Sequence, residues 1–299
     1  MIPEKINWFK IALQIKGSVI IAIYKRVALC GLFVVLISLL YYLALPVSYP
    51  IFENVIPSIV LGLLLVFRTN TAYERFWEGR KCWGSIVNNV RNLSRQLWVS
   101  VIEQKPEDRE EKILALHLLV AFAVATKLHL RGEPVNSELE ELLSPRRYFK
   151  LKTMNNPPLE IAFWISDYLQ QQYSRDRLIT YQLTAMQDLL NSLVDNLGGC
   201  ERILKTPMPL AYSIHLKQLL LIYCLLLPFQ MVQNLGWWTG AIVALISFTL
   251  FGIEEIGLEI ENPFGYDAND LPLDAICHTM KRNVEDLITL SPSVSYDLS

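Results

Sequence analysis

Apolar runs long enough to cross a membrane alternate with charged stretches along this chain. Residues 27–45 carry no charged side chain, and about 20 apolar residues in a helix span the roughly 30 Å hydrocarbon core of a bilayer. Three further spans are predicted at residues 51–67, 211–232 and 239–253. The pattern therefore predicts four membrane-spanning helices in two hairpins, one over residues 27–67 and one over residues 205–253.

Basic residues flank the predicted spans on one side of the membrane. Lys25 and Arg26 precede the first span, and Arg68 follows the second. Because Lys and Arg concentrate on the cytoplasmic side of membrane proteins, both positions are predicted to be cytoplasmic. Both chain termini are then expected on the cytoplasmic side of a plasma (inner) membrane or a thylakoid membrane.

The second span is predicted to continue into water as the same helix. No Pro interrupts the chain between Pro57 and Pro106, and Arg68 ends the apolar part. Beyond it, apolar residues recur every three or four positions, so one face of the helix can pack against other helices. A helical cytosolic domain is predicted over residues 68–204, with residues 254–299 adding cytosolic helices and a tail.

Residues 112–130 are apolar enough to be mistaken for a further span. They contain His117, Lys127 and His129, and ionisable side chains are costly inside a bilayer. This segment is therefore predicted to be a buried helix of the cytosolic domain.

Three other segments are predicted from their local pattern. Residues 4–26 form an amphipathic helix that either lies along the inner membrane surface or packs against the protein's own cytosolic part. Residues 103–111 are predicted to be a charged turn. Residues 159–200 are predicted to be one amphipathic helix that Gly198-Gly199 ends or kinks.

Composition supports a membrane protein with a sizeable aqueous part, because 52% of the residues are hydrophobic and 19% are charged. The formal net charge of −2 gives no bulk attraction to nucleic acid. The five cysteines and four histidines lack metal-ligand spacing. Neither a nucleophile–base pair nor a phosphate loop is evident, so the sequence does not predict an enzyme or a cofactor.

Three segments resemble one protein family. They are LLLVFRTNTAYERFWEGRKCWG, KTPMPLAYSIHLKQLLLIYCLLLPF at residues 205–229, and IENPFGYDANDLPLD at residues 260–274. In this order they resemble the bestrophins, and among these the bacterial and chloroplast-type members. The resemblance implies a homopentameric channel around a central pore, embedded in lipid and passing chloride and other small anions.

Ile59, Leu63 and Phe67 lie four residues apart and share one face of the second span. The resemblance places these positions in a narrow apolar pore neck, where rings of such side chains can gate by excluding water. The alternative interpretation is that they pack against neighbouring helices.

Met208 lies between Pro207 and Pro209, where the backbone cannot be a regular helix. The resemblance places this position at a second, cytosolic constriction, where most relatives carry Ile or Val. Met is more flexible than either, so the resemblance does not predict the width of this aperture. The alternative is a simple turn residue.

The segment after NPFG matches the calcium-binding loop of animal bestrophins, with fewer acidic residues. Asp267 and Asp270 match two ligand positions, and Asn262 precedes them. Calcium takes six to eight oxygen ligands, so two carboxylates would need several carbonyl groups in addition. Calcium is therefore not expected, and a helix cap or a subunit contact is the alternative role.

Arg68 and the charged residues after it suit ion pairs three or four residues apart. A second interpretation is that Arg68 attracts anions below the neck. For the whole protein, a chloride channel is the leading hypothesis, because VFRTN resembles the chloroplast-type anion channels. The alternatives are a monovalent cation channel of the same fold and a non-conducting membrane scaffold.

Overall fold

The structure, a computed structural model, describes residues 8–9, 13–15, 17–49 and 55–292. Regular secondary structure in these ranges is helical, and ten helices lie wholly within them. They are α1 (Ile20–Tyr42), α2 (Ile56–Ser100), α3 (Pro106–Arg131), α4 (Ser137–Glu140), α5 (Pro145–Leu151), α6 (Pro157–Ser174), α7 (Thr180–Lys205), α8 (Leu210–Leu235), α9 (Trp238–Glu259) and α10 (Leu273–Ile288). The amphipathic helix predicted over residues 4–26 lies largely outside the described residues.

Helix α2 is 45 residues long and continues past its apolar part, as the uninterrupted sequence predicts. The charged turn predicted over residues 103–111 is shorter, because α3 already begins at Pro106. Proline suits the first helical position, where no backbone N–H is needed. The Asp108 carboxylate reinforces this start by accepting hydrogen bonds from the backbone N–H groups of Gln104 and Lys105, each at 2.9 Å.

The prediction of a single helix over residues 159–200 is wrong, since α6 ends at Ser174 and α7 begins at Thr180. The chain turns at Asp176, whose φ of 55° lies in the left-handed region. Gly198-Gly199 lies inside α7 without ending it. A Cβ on Gly199 would lie 3.0 Å from the Cys82 sulfur, so this glycine serves close packing instead of a turn.

The helices divide into two compact units. The first consists of Met1–Phe76, Pro207–Asn262 and Asp267–Asp270, and the second contains the rest of the chain. In the first unit α1 packs against α8 and α9. The apolar core between these helices also receives Leu61 and Leu65 from α2.

Charged side chains pair near one end of this bundle. The Arg26 guanidinium lies 2.8 Å from the Glu255 carboxylate and 3.4 Å from that of Glu254. Both glutamates are buried, and a buried carboxylate needs such a partner to offset its lost hydration.

Five helices in the described part of the chain are long and apolar enough to cross a membrane: α1, α2, α3, α8 and α9. They differ in how far the protein itself covers them. In the most apolar window of α3, 78% of the residues are buried, against 22% to 39% in the other four helices. Helix α3 is therefore surrounded by protein within the second unit, where it packs against α6, α7 and α10.

Lys127 is buried on α3 and its ammonium group lies 2.8 Å from the carboxylates of Glu138 and Asp274. Burial alone would lower the pKa of Lys127, but hydrogen bonds to these carboxylates raise it above its ordinary value. Conversely, burial would raise the pKa of Asp274, and hydrogen bonds from Lys127 and Arg131 lower it. The second unit thus contains a charged cluster that stays ionised at neutral pH.

Candidate functional site

Ile59, Leu63 and Phe67, here called the α2 stripe, are exposed in the single chain, with exposed fractions of 56%, 53% and 62%. Leu61 and Leu65 on the same helix are 4% and 2% exposed, because they pack into the core of the first unit. One side of this apolar segment is therefore covered by the chain itself. The other side, which Val60 and Val66 extend, is left open by the described part of the chain.

Met208 is half-buried in the turn Pro207–Pro209, immediately before α8. Its backbone N–H donates a hydrogen bond to Glu261 Oε1 at 2.8 Å. Its sulfur lies 3.4 Å from Arg68 Nη1. The turn is therefore held by two side chains from elsewhere in the same unit.

Arg68 directly follows the α2 stripe and is 1% exposed. Its Nη2 atom lies 3.1 Å from Glu261 Oε2, and its Nη1 atom donates to Ser213 Oγ at 3.2 Å. The partner of Arg68 is therefore distant in the chain, and the predicted ion pairs three or four residues apart do not describe it. The guanidinium is buried in the single chain and does not face solvent, as attraction of anions would require.

Glu261 is the functional candidate that sequence reasoning missed. It follows the end of α9 at Glu259 and is one of several glutamates in that region, with no local pattern to distinguish it. Its partner Arg68 is 193 residues away in the chain. Helical periodicity relates residues within a few turns, so the sequence carries no signal for this pair.

Polar side chains in the loop of residues 262–270 form hydrogen bonds within the loop and to the end of α9. Asp270 Oδ2 accepts a hydrogen bond from the Asp267 N–H at 2.8 Å, and Asn269 donates to Glu259 at 2.7 Å. Asn262 and Asp267 are exposed. The described residues include no group of three or more His, Cys, Asp or Glu side chains arranged to hold a metal ion. The side chains of this loop alone do not supply the six to eight oxygens of a calcium site.

Several long apolar helices joined to a second unit with its own buried core define an integral membrane protein built from helices. Its family follows from comparison with known proteins. The family model for "Bacterial/Fungal Bestrophin protein" matches residues 1–286. The chain therefore belongs to the bestrophin family, as the three sequence segments predict.

Similar proteins are described as voltage-dependent anion channel-forming proteins. One from Nostoc sp. is 75% identical over 100% of this chain and 97% of its own length. One from Synechocystis sp. is 61% identical over 95% of this chain and 93% of its own length. A crystal structure of a bacterial bestrophin homologue from Klebsiella pneumoniae is 31% identical, with a TM-score of 0.82 over 90% of this chain and 100% of that chain.

Proposed function

We propose that this protein forms a channel that passes chloride and other small monovalent anions down their gradient. The α2 stripe is the observation that carries this proposal, because it is exposed while Leu61 and Leu65 beside it are buried. An apolar face left open by its own chain is covered either by lipid or by other copies of the chain. The channel-forming names of the relatives favour copies arranged around a pore.

In this proposal the chain assembles as a homopentamer, and each copy contributes one α2 helix to the neck. Rings formed by Ile59, Leu63 and Phe67 exclude water when the neck is narrow, which closes the path to ions. The exposed neighbours Val60 and Val66 contact adjacent copies. Met208 lines a second, cytosolic constriction.

The proposed topology has four spans, formed by α1, the apolar part of α2, α8 and α9. Helix α3 lies in the cytosolic part, which its burial within protein and the charged cluster at Lys127 support. The Lys and Arg residues that flank the spans favour cytoplasmic termini. The host membrane is a plasma (inner) or thylakoid membrane.

Reconstitution of the purified protein into vesicles of pure lipid tests this function. Vesicles loaded with potassium chloride, with an ionophore present to carry the compensating charge, should lose chloride when the protein is present. Protein-free vesicles of the same lipid with the same ionophore should retain it. A well-folded protein that releases neither chloride nor potassium would indicate a scaffold. Release of potassium alone, with chloride retained, would indicate the cation channel.

A further inference from the structure

The carboxylate of Glu261 contacts both parts of the proposed ion path. Its Oε2 atom is paired with Arg68, the residue directly after Phe67. Its Oε1 atom accepts the backbone N–H of Met208. One side chain therefore connects the end of the α2 stripe to the Pro-Met-Pro turn.

The contact to Met208 has no substitute within that turn. Proline has no backbone N–H, so Met208 carries the only backbone donor among residues 207–209. The Glu261 backbone is held as well, because its carbonyl oxygen accepts a hydrogen bond from Arg75 Nε at 3.3 Å. Glu261 is thus fixed at its main chain while its side chain holds the turn.

Burial strengthens the contacts that Glu261 makes with Arg68 and Met208. The side chains of Arg68 and Glu261 are 1% and 13% exposed, and ion pairs gain strength where water is excluded. Removing one partner leaves the other charge buried and unpaired, which is more costly than losing an exposed pair. The pair therefore favours a single arrangement of the Pro-Met-Pro turn over alternatives.

We propose that Glu261 is the positioning residue of the cytosolic constriction: it fixes Met208 and, through Arg68, ties it to the end of the α2 stripe. This inference rests on the proposed function, since it requires Met208 to lie in the ion path. Glu261 does not contact the permeating anion. It sets the position of the Met208 side chain, which determines the width of the ion path at this constriction and therefore which anions pass.

The permeability of a large anion such as thiocyanate relative to chloride measures that width. Met208→Ala should change the ratio by about twofold or more, because a smaller side chain widens the constriction. Glu261→Ala should change it as well, and the double variant should change it no further than Met208→Ala alone, because both substitutions act through one side chain. Glu261→Asp, which keeps the charge, should recover part of the wild-type ratio.

Glu259→Gln is the matched control, because Glu259 is a half-buried glutamate two residues away whose side chain contacts Asn269 instead of Arg68 or Met208. It should leave the ratio unchanged. If Glu261→Ala fails to assemble, Glu261→Gln replaces it, since it retains an oxygen that can accept from Met208 but no charge for Arg68. A ratio altered by Met208→Ala but not by either Glu261 variant overturns the inference and leaves the proposed function standing.

Hydrogen exchange at the Met208 amide tests the positioning without any need for conduction. Glu261→Ala should speed exchange in the peptide that carries residue 208. Glu261→Gln should speed it less, because it loses the ion pair with Arg68 but keeps an acceptor for the Met208 N–H, and Glu259→Gln should leave it unchanged. Unchanged exchange in the Glu261 variants contradicts the inference even in a conducting protein. Faster exchange together with an unaltered ratio in Met208→Ala would instead refute the proposed constriction and, with it, the role assigned to Glu261.

Discussion

Two sets of apolar side chains on α2 have similar composition and opposite environments. Ile59, Leu63 and Phe67 are exposed in the single chain, and Leu61 and Leu65 are buried in its core. Replacing the exposed set with alanine removes little packing within the chain. Replacing the buried set leaves cavities in the first unit.

The triple variant Ile59→Ala, Leu63→Ala and Phe67→Ala should raise open probability and single-channel current. The widened neck would hold water more readily, and a dewetted barrier depends on both radius and polarity. Single-channel recording of the variant and the wild type in one lipid mixture measures the difference.

Leu61→Ala and Leu65→Ala are the matched controls. Each should lower stability by about 2–5 kcal/mol through loss of buried apolar contacts, with open probability unchanged in the channels that assemble. Thermal unfolding in detergent gives the first quantity. Equal effects of the two sets on open probability would refute the assignment of the stripe to the pore.

The sequence predicts which α2 residues share a face, because residues four apart are neighbours on a helix. It does not predict that Glu261 reaches Arg68 and Met208. That contact depends on how α9 and the Pro-Met-Pro turn meet α2 in three dimensions, and no local spacing encodes this meeting. The buried state of Arg68 was missed for the same reason.

At the level of helices, α3 shows that apolar composition alone does not predict how far the protein itself covers a helix. Its mean hydropathy equals that of α9 and it is slightly longer, yet most of its apolar part is buried within protein. The ionisable residues of α3 indicate this from sequence. The break between α6 and α7 could not be predicted similarly, because Arg175-Asp176-Arg177 contains neither the Gly nor the Pro that commonly marks a turn.

Labelling with a thiol reagent tests the cytosolic position of α3. Leu114 is exposed on this helix, so Leu114→Cys in a Cys82→Ser background should react with a membrane-permeant maleimide in intact cells. An impermeant maleimide added outside should leave it unlabelled. Trp238→Cys at the opposite, outer hairpin turn should react with both reagents, and external labelling at position 114 would contradict the topology.

The charged cluster on α3 should contribute to stability. Lys127→Met removes the ammonium group that pairs with Glu138 and Asp274. We expect the free energy of unfolding to fall by about 1–3 kcal/mol. Both carboxylates remain partly hydrated, so leaving them unpaired costs less than leaving a fully buried charge unpaired. Thermal unfolding in detergent measures this loss, with Lys150→Met, at an exposed lysine on α5, as the control.

Acid should reduce the difference between Lys127→Met and the wild type. The pKa of Asp274 is lowered in the folded protein, so its contribution is present above its unfolded pKa and is lost as pH falls through the folded value. Unfolding measured from neutral pH down to the carboxyl range should show the two proteins converging. A constant difference would mean that Lys127 stabilises α3 by packing instead of charge.

At the level of the whole molecule, the proposed channel predicts that copies of the chain cover the open face of α2. Native mass measurement in detergent should give the mass of a homopentamer, because a ring of copies covers that face and encloses a path for ions. A monomer that conducts as well as the intact preparation would contradict this arrangement.

Calcium removal should leave the channel working. One oxygen of the Asp270 carboxylate accepts a hydrogen bond from the Asp267 N–H, and the side chains of the loop of residues 262–270 are too few for a calcium shell. Currents recorded in a chelator should therefore equal those in micromolar calcium, for the wild type and for Asp267→Ala. Currents lost in chelator, restored by calcium and abolished by Asp267→Ala would refute this expectation.

Reversal potentials in asymmetric potassium chloride test anion conduction most directly, because the sign of the potential distinguishes anion from cation flow. With the purified protein in a planar bilayer of pure lipid, the reversal potential should lie near the chloride equilibrium potential and follow it when the gradient is reversed. A reversal potential near that of potassium would contradict an anion channel.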